Sequence, residues 1–187
     1  MIRKIVPHII FLNIFFHFHN ISLASEQNWK PAQEGNKIIF IRHSLAPGRA
    51  DPPGFKISDC STQRNLNQIG INQSKKIGKL FTKKNIKIDQ VLSSQWCRCK
   101  DTAKYAFRNF KEFSALNSTF SAPYDKNEKK QIEELKKFIN KWDGKGKNLV
   151  LVTHYVVILA LTNVAPSSGE LVITDKDLKV LSTISTF

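Results

Sequence analysis

Two short apolar runs, each handing a histidine to the segment that follows, constrain this chain more than any other feature. Lys37-Ile38-Ile39-Phe40-Ile41 leads directly into Arg42-His43, and Asn148-Leu149-Val150-Leu151-Val152-Thr153 leads into His154. Both runs are short and rich in β-branched residues, which reads as strands buried on both faces rather than as helices. Strands of that kind belong to sheets covered on both sides by helices, and such sheets gather their ligand sites at the strands' C-terminal edge. The stretch from Ser44 to Gly54 is turn-rich, so Arg42 and His43 are delivered to that edge. One site built from two distant segments is the expectation.

A single histidine after a strand is ordinarily a surface or satisfied core residue. Two in the same context, one preceded by arginine, ask for a shared chemistry. Neutral imidazole is a nucleophile, with an unperturbed pKa of about 6.5. The guanidinium fork suits phosphate oxygens. Together they point to phosphoryl chemistry. Val91-Leu92-Ser93-Ser94 reads as a third strand, and Gln95 to Phe107 can follow as a helix with Arg98 about one turn in, near the anion-attracting end. Arg64, ahead of a helical stretch from Leu66 to Phe81, is a further cation at a strand-to-helix junction. Each arginine alone would pass for a solvated surface residue; their recurrence at corresponding junctions argues otherwise.

Four segments resemble the histidine phosphatases related to the phosphoglycerate mutases. They are Ile39-Phe40-Ile41-Arg42-His43-Ser44, Thr62-Gln63-Arg64-Asn65-Leu66-Asn67-Gln68-Ile69-Gly70, Val91-Leu92-Ser93-Ser94-Gln95-Trp96-Cys97-Arg98-Cys99-Lys100-Asp101-Thr102-Ala103 and Val152-Thr153-His154. They come in that family's order and span nearly all of the chain after residue 36. The resemblance implies a small single-domain member, an α/β three-layer sandwich whose mostly parallel central sheet is covered by helices on both faces. It implies that His43 is phosphorylated, that Arg42, Arg98 and His154 complete the phosphate pocket, and that Arg64 supports it. No metal and no other cofactor is expected, because the arginines carry the charge. Ser44 stands where the family usually has glycine; it is small, and is counted with Arg42, Arg64 and Arg98 among the substrate-binding residues. Many relatives carry a glutamate where this chain reads Ala115-Leu116-Asn117-Ser118. Asp51 and Glu170 are the carboxylates placed to substitute as proton donor.

The first 24 residues describe a destination. Arg3 and Lys4 precede an apolar stretch from Ile9 to Phe18, and Ser22-Leu23-Ala24 supplies a small-residue cleavage pattern. That is the layout of a secretory signal peptide, too short for a membrane span of roughly 20 apolar residues. A secreted or periplasmic protein is expected, with no stable membrane insertion once the leader is removed. Residues 25–36 have linker character, and residues 37–187 form one domain. The leader carries two cations and no acids, so a formal charge of +14 becomes +12 on its loss. Such an excess favours anionic partners. The lysine pairs lie mostly on helix faces without interleaved aromatics, so a solvated basic surface is expected and no nucleic-acid partner.

Cys60, Cys97 and Cys99 remain after cleavage. Export permits disulfides, and the three are too few ligands for a zinc site. Cys60 precedes Arg64, and the other two flank Arg98, so a bridge from Cys60 to either would clamp two phosphate-binding loops. Leu66, Ile69, Ile77, Leu80 and Phe81 recur at helical spacing with Gln73 as a polar exception, and Ile132, Leu135, Phe138, Ile139 and Trp142 form a second stripe. Leu171 to Thr174 and Leu178 to Ile184 read as a closing hairpin. The functional expectation is an exported phosphomonoesterase acting through a phosphohistidine on His43, its substrate a phosphorylated small molecule or envelope component. Two alternatives stand beside it: a non-catalytic phosphate-recognition module of the cell envelope, and a phosphoglycerate mutase-like phosphotransferase.

Overall fold

The computed structural model describes residues 26–187, so the proposed leader, with His8, His17 and His19, lies outside the described residues. A short helix α1 (Lys30–Glu34) precedes strand β1 (Ile38–Arg42). Then follow α2 (Gln68–Lys83), β2 (Ile88–Ser93), α3 (Cys97–Phe107) and β3 (Lys111–Glu112). The chain continues through α4 (Glu128–Lys141), β4 (Asn148–Thr153) and α5 (Tyr155–Thr162), and ends in the hairpin β5 (Leu171–Thr174) and β6 (Val180–Ile184). The six strands form one sheet in the order β3-β2-β4-β1-β5-β6. The β1–β4, β2–β4 and β2–β3 pairs are parallel, whereas β5 is antiparallel to both β1 and β6.

Alternation along the strands divides the core into two layers. Ile39, Ile41, Val150, Val152, Leu171 and Ile173 face Ile77 and Phe81 of α2 and Cys99 and Ala103 of α3. Ile38, Phe40, Leu149, Leu151 and Val172 face Leu135 and Ile139 of α4 and Val157 and Ile158 of α5. This is a three-layer α/β sandwich. It explains why β1 and β4 read as unbroken apolar runs, since neither face meets water. No helix among the described residues is long and apolar enough to cross a membrane.

Residues 26–36 differ from the linker expected of them. Trp29 is buried with its ring edge-on to Phe81, and Ala32 is buried in the same layer. Asn148, at the start of β4, holds the segment in place by donating through Nδ2 to Ala32 O at 2.8 Å and Lys87 O at 2.9 Å while accepting from Lys37 N at 3.1 Å. The folded unit therefore includes this stretch. A polar composition hid the two residues that anchor it.

The face of α2 also departs from its apolar stripe. Ile69 is 56 % exposed, and Gly70, Gln73, Ser74, Ile77 and Phe81 turn inward instead. The N-terminal half of α2 packs not on the sheet but on backbone of the loop after His43, where small and polar residues fit better than aliphatic ones. Gln73 ties that loop to the C-terminal part of the chain, accepting from Leu45 N at 3.0 Å and donating to Ser168 O at 2.8 Å and Thr186 Oγ1 at 3.0 Å. A Cβ on Gly70 would lie 2.1 Å from Leu45 O. An exposed helical Gly→Ala change ordinarily stabilises by about 1 kcal/mol. We predict the opposite for Gly70→Ala, a loss of roughly 1–3 kcal/mol in denaturant unfolding from overpacking, with Ile69→Ala within about 0.5 kcal/mol of the parent.

Candidate active site

The parallel pairing of β1, β4 and β2 sets the site. Arg42 lies opposite Thr153, and Ser93 opposite Val152, so the residues that follow each strand emerge side by side. His43 N donates to Thr153 O at 2.9 Å and Ser94 N to Val152 O at 2.9 Å, extending the ladder one residue beyond the strands. His43 and His154 meet edge to face with ring centroids 5.5 Å apart, and each is 3 % exposed. They line a cleft of about 130 Å³ together with Arg42, Arg64 and Arg98.

The protonation state of His43 follows from its contacts. Its Nδ1 lies 2.8 Å from Ser44 O, and a carbonyl oxygen can only accept, so Nδ1 carries the proton and Nε2 keeps its lone pair. Burial pushes its pKa well below the ordinary histidine value, and the charges of Arg98, Arg64 and Arg42 push the same way against the Ser44 bond. His154 is lowered well below that value too, by burial first, then Arg98 and His43. Its Nε2 lies 2.8 Å from Ser94 Oγ and 3.4 Å from Cys99 Sγ. Both imidazoles are neutral near pH 7.

Three guanidinium groups surround them with one carboxylate to share. Arg98 is the second residue of α3, and its Nη1 pairs with Asp51 Oδ1 at 2.8 Å, with both side chains under 10 % exposed. No acidic residue occupies the first turn of α3, so the positive end of the helix adds to the same field. Arg42 Nη1 donates to Pro166 O at 2.8 Å, and Arg64 Nη1 donates to Ala46 O. Neither has a carboxylate partner among the described residues. Burial and the charge of Arg98 lower the pKa of both, yet guanidinium keeps its proton in proteins. Nε of Arg42, Arg64 and Arg98 is in each case buried without a hydrogen-bond partner. Buried donors are almost always satisfied. With one carboxylate among them, the arginines that line this cleft give it an excess of positive charge suited to an oxyanion.

The two carboxylates expected as proton donors are placed otherwise. Asp51 lines the cleft, but it accepts from Arg98, from Arg64 N at 2.9 Å and from Trp96 Nε1 at 3.0 Å. Burial raises its pKa, but the Arg64 backbone bond, the Arg98 charge and the side-chain bonds outweigh it, leaving the net shift downward. Asp51 is an ionised brace for Arg98. Glu170 does not line the cleft; its Oε2 accepts from Ser167 N at 2.7 Å within its own turn. Ser44 is likewise corrected. Its hydroxyl lies 2.8 Å from Ser74 Oγ, fully buried behind the cleft, while its amide donates to Thr102 Oγ1 at 3.0 Å. Ser44 holds the backbone of the loop rather than facing a substrate.

Of the two bridges open to Cys60, the structure forms the one to Cys97. Cys97 opens α3 and faces the loop, whereas Cys99 is buried beneath His154, its thiol pushed up to about 12 by burial. Gln63 reinforces the join by accepting from Cys97 N at 3.0 Å and donating to Lys56 O and Ile57 O. Several cleft residues carry no motif signal: Arg49, Phe55, Trp96, Phe120, Tyr124 and Tyr155. Trp96 lay inside a matching segment, and its place just before Cys97 could have marked it. Arg49, Phe55, Phe120 and Tyr124 lie outside the strands and α-helices, where spacing shows nothing, and Tyr155 opens α5 just past the segment ending at His154.

Acidification should expose the neutral histidines. The unfolded chain takes up protons near pH 6.5, whereas the folded sites resist, so the unfolded state binds more protons as pH falls and stability drops. We predict level stability above about pH 7, then a loss of up to roughly 2 kcal/mol per histidine between pH 6.5 and 5. Denaturant unfolding at pH 7 and 5 checks this. His43→Gln and His154→Gln should each shrink the difference, and an unchanged difference in both would show that the imidazoles are not held neutral.

A scan of the sequence against protein-family models finds no match, and a search of curated proteins finds none. Solved structures do match. The chain is similar to a candidate phosphohistidine phosphatase, SixA, from Agrobacterium tumefaciens, at 19 % identity and a TM-score of 0.56, covering 80 % of this chain and 97 % of that one. It is similar to a candidate alpha-ribazole-5'-P phosphatase from Escherichia coli at 13 % identity and a TM-score of 0.59, with 81 % and 97 % covered. A phosphoserine phosphatase mutant from Entamoeba histolytica, solved in complex with phosphoserine, aligns at 17 % identity and a TM-score of 0.57, with 80 % and 97 % covered. The chain shares the three-layer α/β fold of these phosphatase structures.

Proposed function

We propose that this protein is a phosphomonoesterase that works through a phosphohistidine on His43. The observation that carries the reading is one cleft lined by Arg42, Arg64 and Arg98, only Arg98 having a carboxylate partner among the described residues, beside a neutral imidazole whose Nε2 lone pair is free. An anion with several oxygens would satisfy them, and a nucleophile stands beside it. The similar structures include phosphatases, which supports the same chemistry.

The steps follow from the contacts. His43 Nε2 attacks phosphorus in line, and the bond to the leaving oxygen breaks. Ser44 O holds Nδ1–H in place, which fixes the ring and stabilises the charge it gains. Arg42, Arg64, Arg98 and His154 receive the phosphoryl oxygens, and positioned donors of this kind carry most of the catalysis in phosphoryl transfer. The leaving oxygen takes its proton from water. A second water then attacks phosphorus, breaks the P–N bond, and returns neutral His43 with inorganic phosphate. Asp51 orients Arg98 throughout.

Export is part of the proposal. The leader pattern in residues 1–24 supports it, and so does the Cys60–Cys97 bridge, since such bonds persist in oxidising compartments. The substrate is then a phosphorylated small molecule or envelope component outside the cytoplasm. One observation favours the second reading, a phosphate-recognition module. Among the described residues no carboxyl group lining the cleft is free to protonate a leaving group, since Asp51 is already tied to three donors.

Two measurements decide between these readings. Brief exposure to a reactive aryl phosphate, then an alkaline quench, should leave phosphate on His43, stable to base and labile to acid. Turnover that survives in His43→Ala would overturn the assignment, and phosphate binding without turnover would favour the recognition module. Separately, Asp51→Asn should slow an aryl and an alkyl phosphate alike by at least about tenfold, as the loss of a charge-assisted bond of roughly 1.5–3 kcal/mol requires. A proton donor would slow the alkyl ester selectively. Glu170→Gln should keep near-parent rates on both.

A further inference from the structure

The outer half of the cleft is built of aromatic rings. Phe55, Trp96 and Tyr124 form a cluster, with centroids 5.7 Å apart for Phe55–Trp96, 5.8 Å for Phe55–Tyr124 and 4.9 Å for Trp96–Tyr124. Trp96, only 1 % exposed, lies behind the other two and packs edge-on against His154 at 5.4 Å, so it braces the wall against the phosphoryl pocket. Phe120 stands at the lip with 62 % of its surface exposed, on a loop that also brings Ser118 and Ser121 to the cleft. Phe55 and Tyr124 pack partly against the core, whereas Phe120, far more open, belongs to neither core layer. The phosphoryl pocket alone does not account for it.

We propose that this surface is a specificity subsite for a planar aromatic ring on the substrate, attached to the phosphoryl group held at His43. Phe120 is its lid-side face and Phe55 and Tyr124 its wall. Aromatic faces and edges attract one another beyond the area they bury, which selects a ring over an aliphatic chain of similar size. The site rests on the phosphatase reading for its position but not for its chemistry of recognition. It also matches the braced state of Asp51, because an aryl oxide departs with little need of a proton, whereas an alkoxide needs one. The substrate class is therefore a phosphomonoester of a phenol or a comparable aromatic acceptor.

Benzyl and ethyl phosphate isolate the ring from the leaving group, since both release basic alkoxides. We expect kcat/KM for benzyl phosphate to exceed that for ethyl phosphate by about tenfold or more, the effect of burying one ring face. Phe120→Ala should lower benzyl phosphate far more than ethyl phosphate and so erase most of that ratio, and Phe120→Tyr should restore it. A merely structural role would lower both substrates together and leave the ratio standing. Calorimetry with benzylphosphonate and ethylphosphonate on His43→Ala reads the same preference without turnover. A ring preference in binding with no hydrolysis by the parent would keep the subsite and overturn the phosphatase reading. Equal treatment of the two esters, or of the two phosphonates, or a ratio unmoved by Phe120→Ala, would overturn the subsite.

Discussion

Everything at the cleft depends on the register of β1 against β4. Arg42 opposite Thr153 is what sets His43 beside His154. Side chains alternate along a strand, so a slip of one residue would send Ile39 and Ile41 into the layer now holding Ile38 and Phe40 and move His43 away from its partner. The two layers differ in what they receive: α2 and α3 on one side, α4 and α5 on the other. Register is thus enforced along the whole strand by apolar packing, while its effect is felt only at the last residue. The geometry of the two imidazoles is a by-product of the core.

The second dependency is electrostatic. Arg98 is buried and Arg42 and Arg64 half-buried, and the one carboxylate paired with them, Asp51 on Arg98, is itself engaged by Arg64 N and Trp96 Nε1. Uncompensated charge in a low-dielectric setting is costly, and here the cost is offset partly by the carbonyls of Pro166 and Ala46. The remainder falls on the histidines, whose protonation would add to the repulsion. Burial is the first cause that keeps the nucleophile neutral, and the cations that attract a dianion push the same way.

Much of this was legible in the sequence because it rests on period and position. The strands of β1 and β4, the stripe of α4 and the closing hairpin follow from alternation and helical spacing, and Arg42, His43, Arg64, Arg98 and His154 all line the cleft. What was hidden rests on pairing across distance. Ile69 looked like core because its spacing fitted, yet α2 packs first on the backbone at Leu45, which rewards Gly70 and Gln73. Trp29 and Ala32 anchor a polar stretch through a buried asparagine far along the chain. Asp51 looked like a free loop acid because nothing local shows that Arg98 reaches it. Ser44 and Glu170 were near enough in sequence but face away in space.

The Cys60–Cys97 bond closes a covalent ring around α2 and β2, with Arg64 and Arg98 both close to its junction. Heat or denaturant can scatter β1, β4 and both histidines, but it cannot separate the two ends of that ring. The denatured chain therefore retains part of the cation pair as a built-in neighbourhood, at an entropy already surrendered when the bond formed. A bridge spanning 37 residues stabilises by about 2–4 kcal/mol on that account. In a reducing compartment the same sequence would have to gather mutually repelling arginines by folding alone. The oxidised chain meets that repulsion once, before the rest of the site exists.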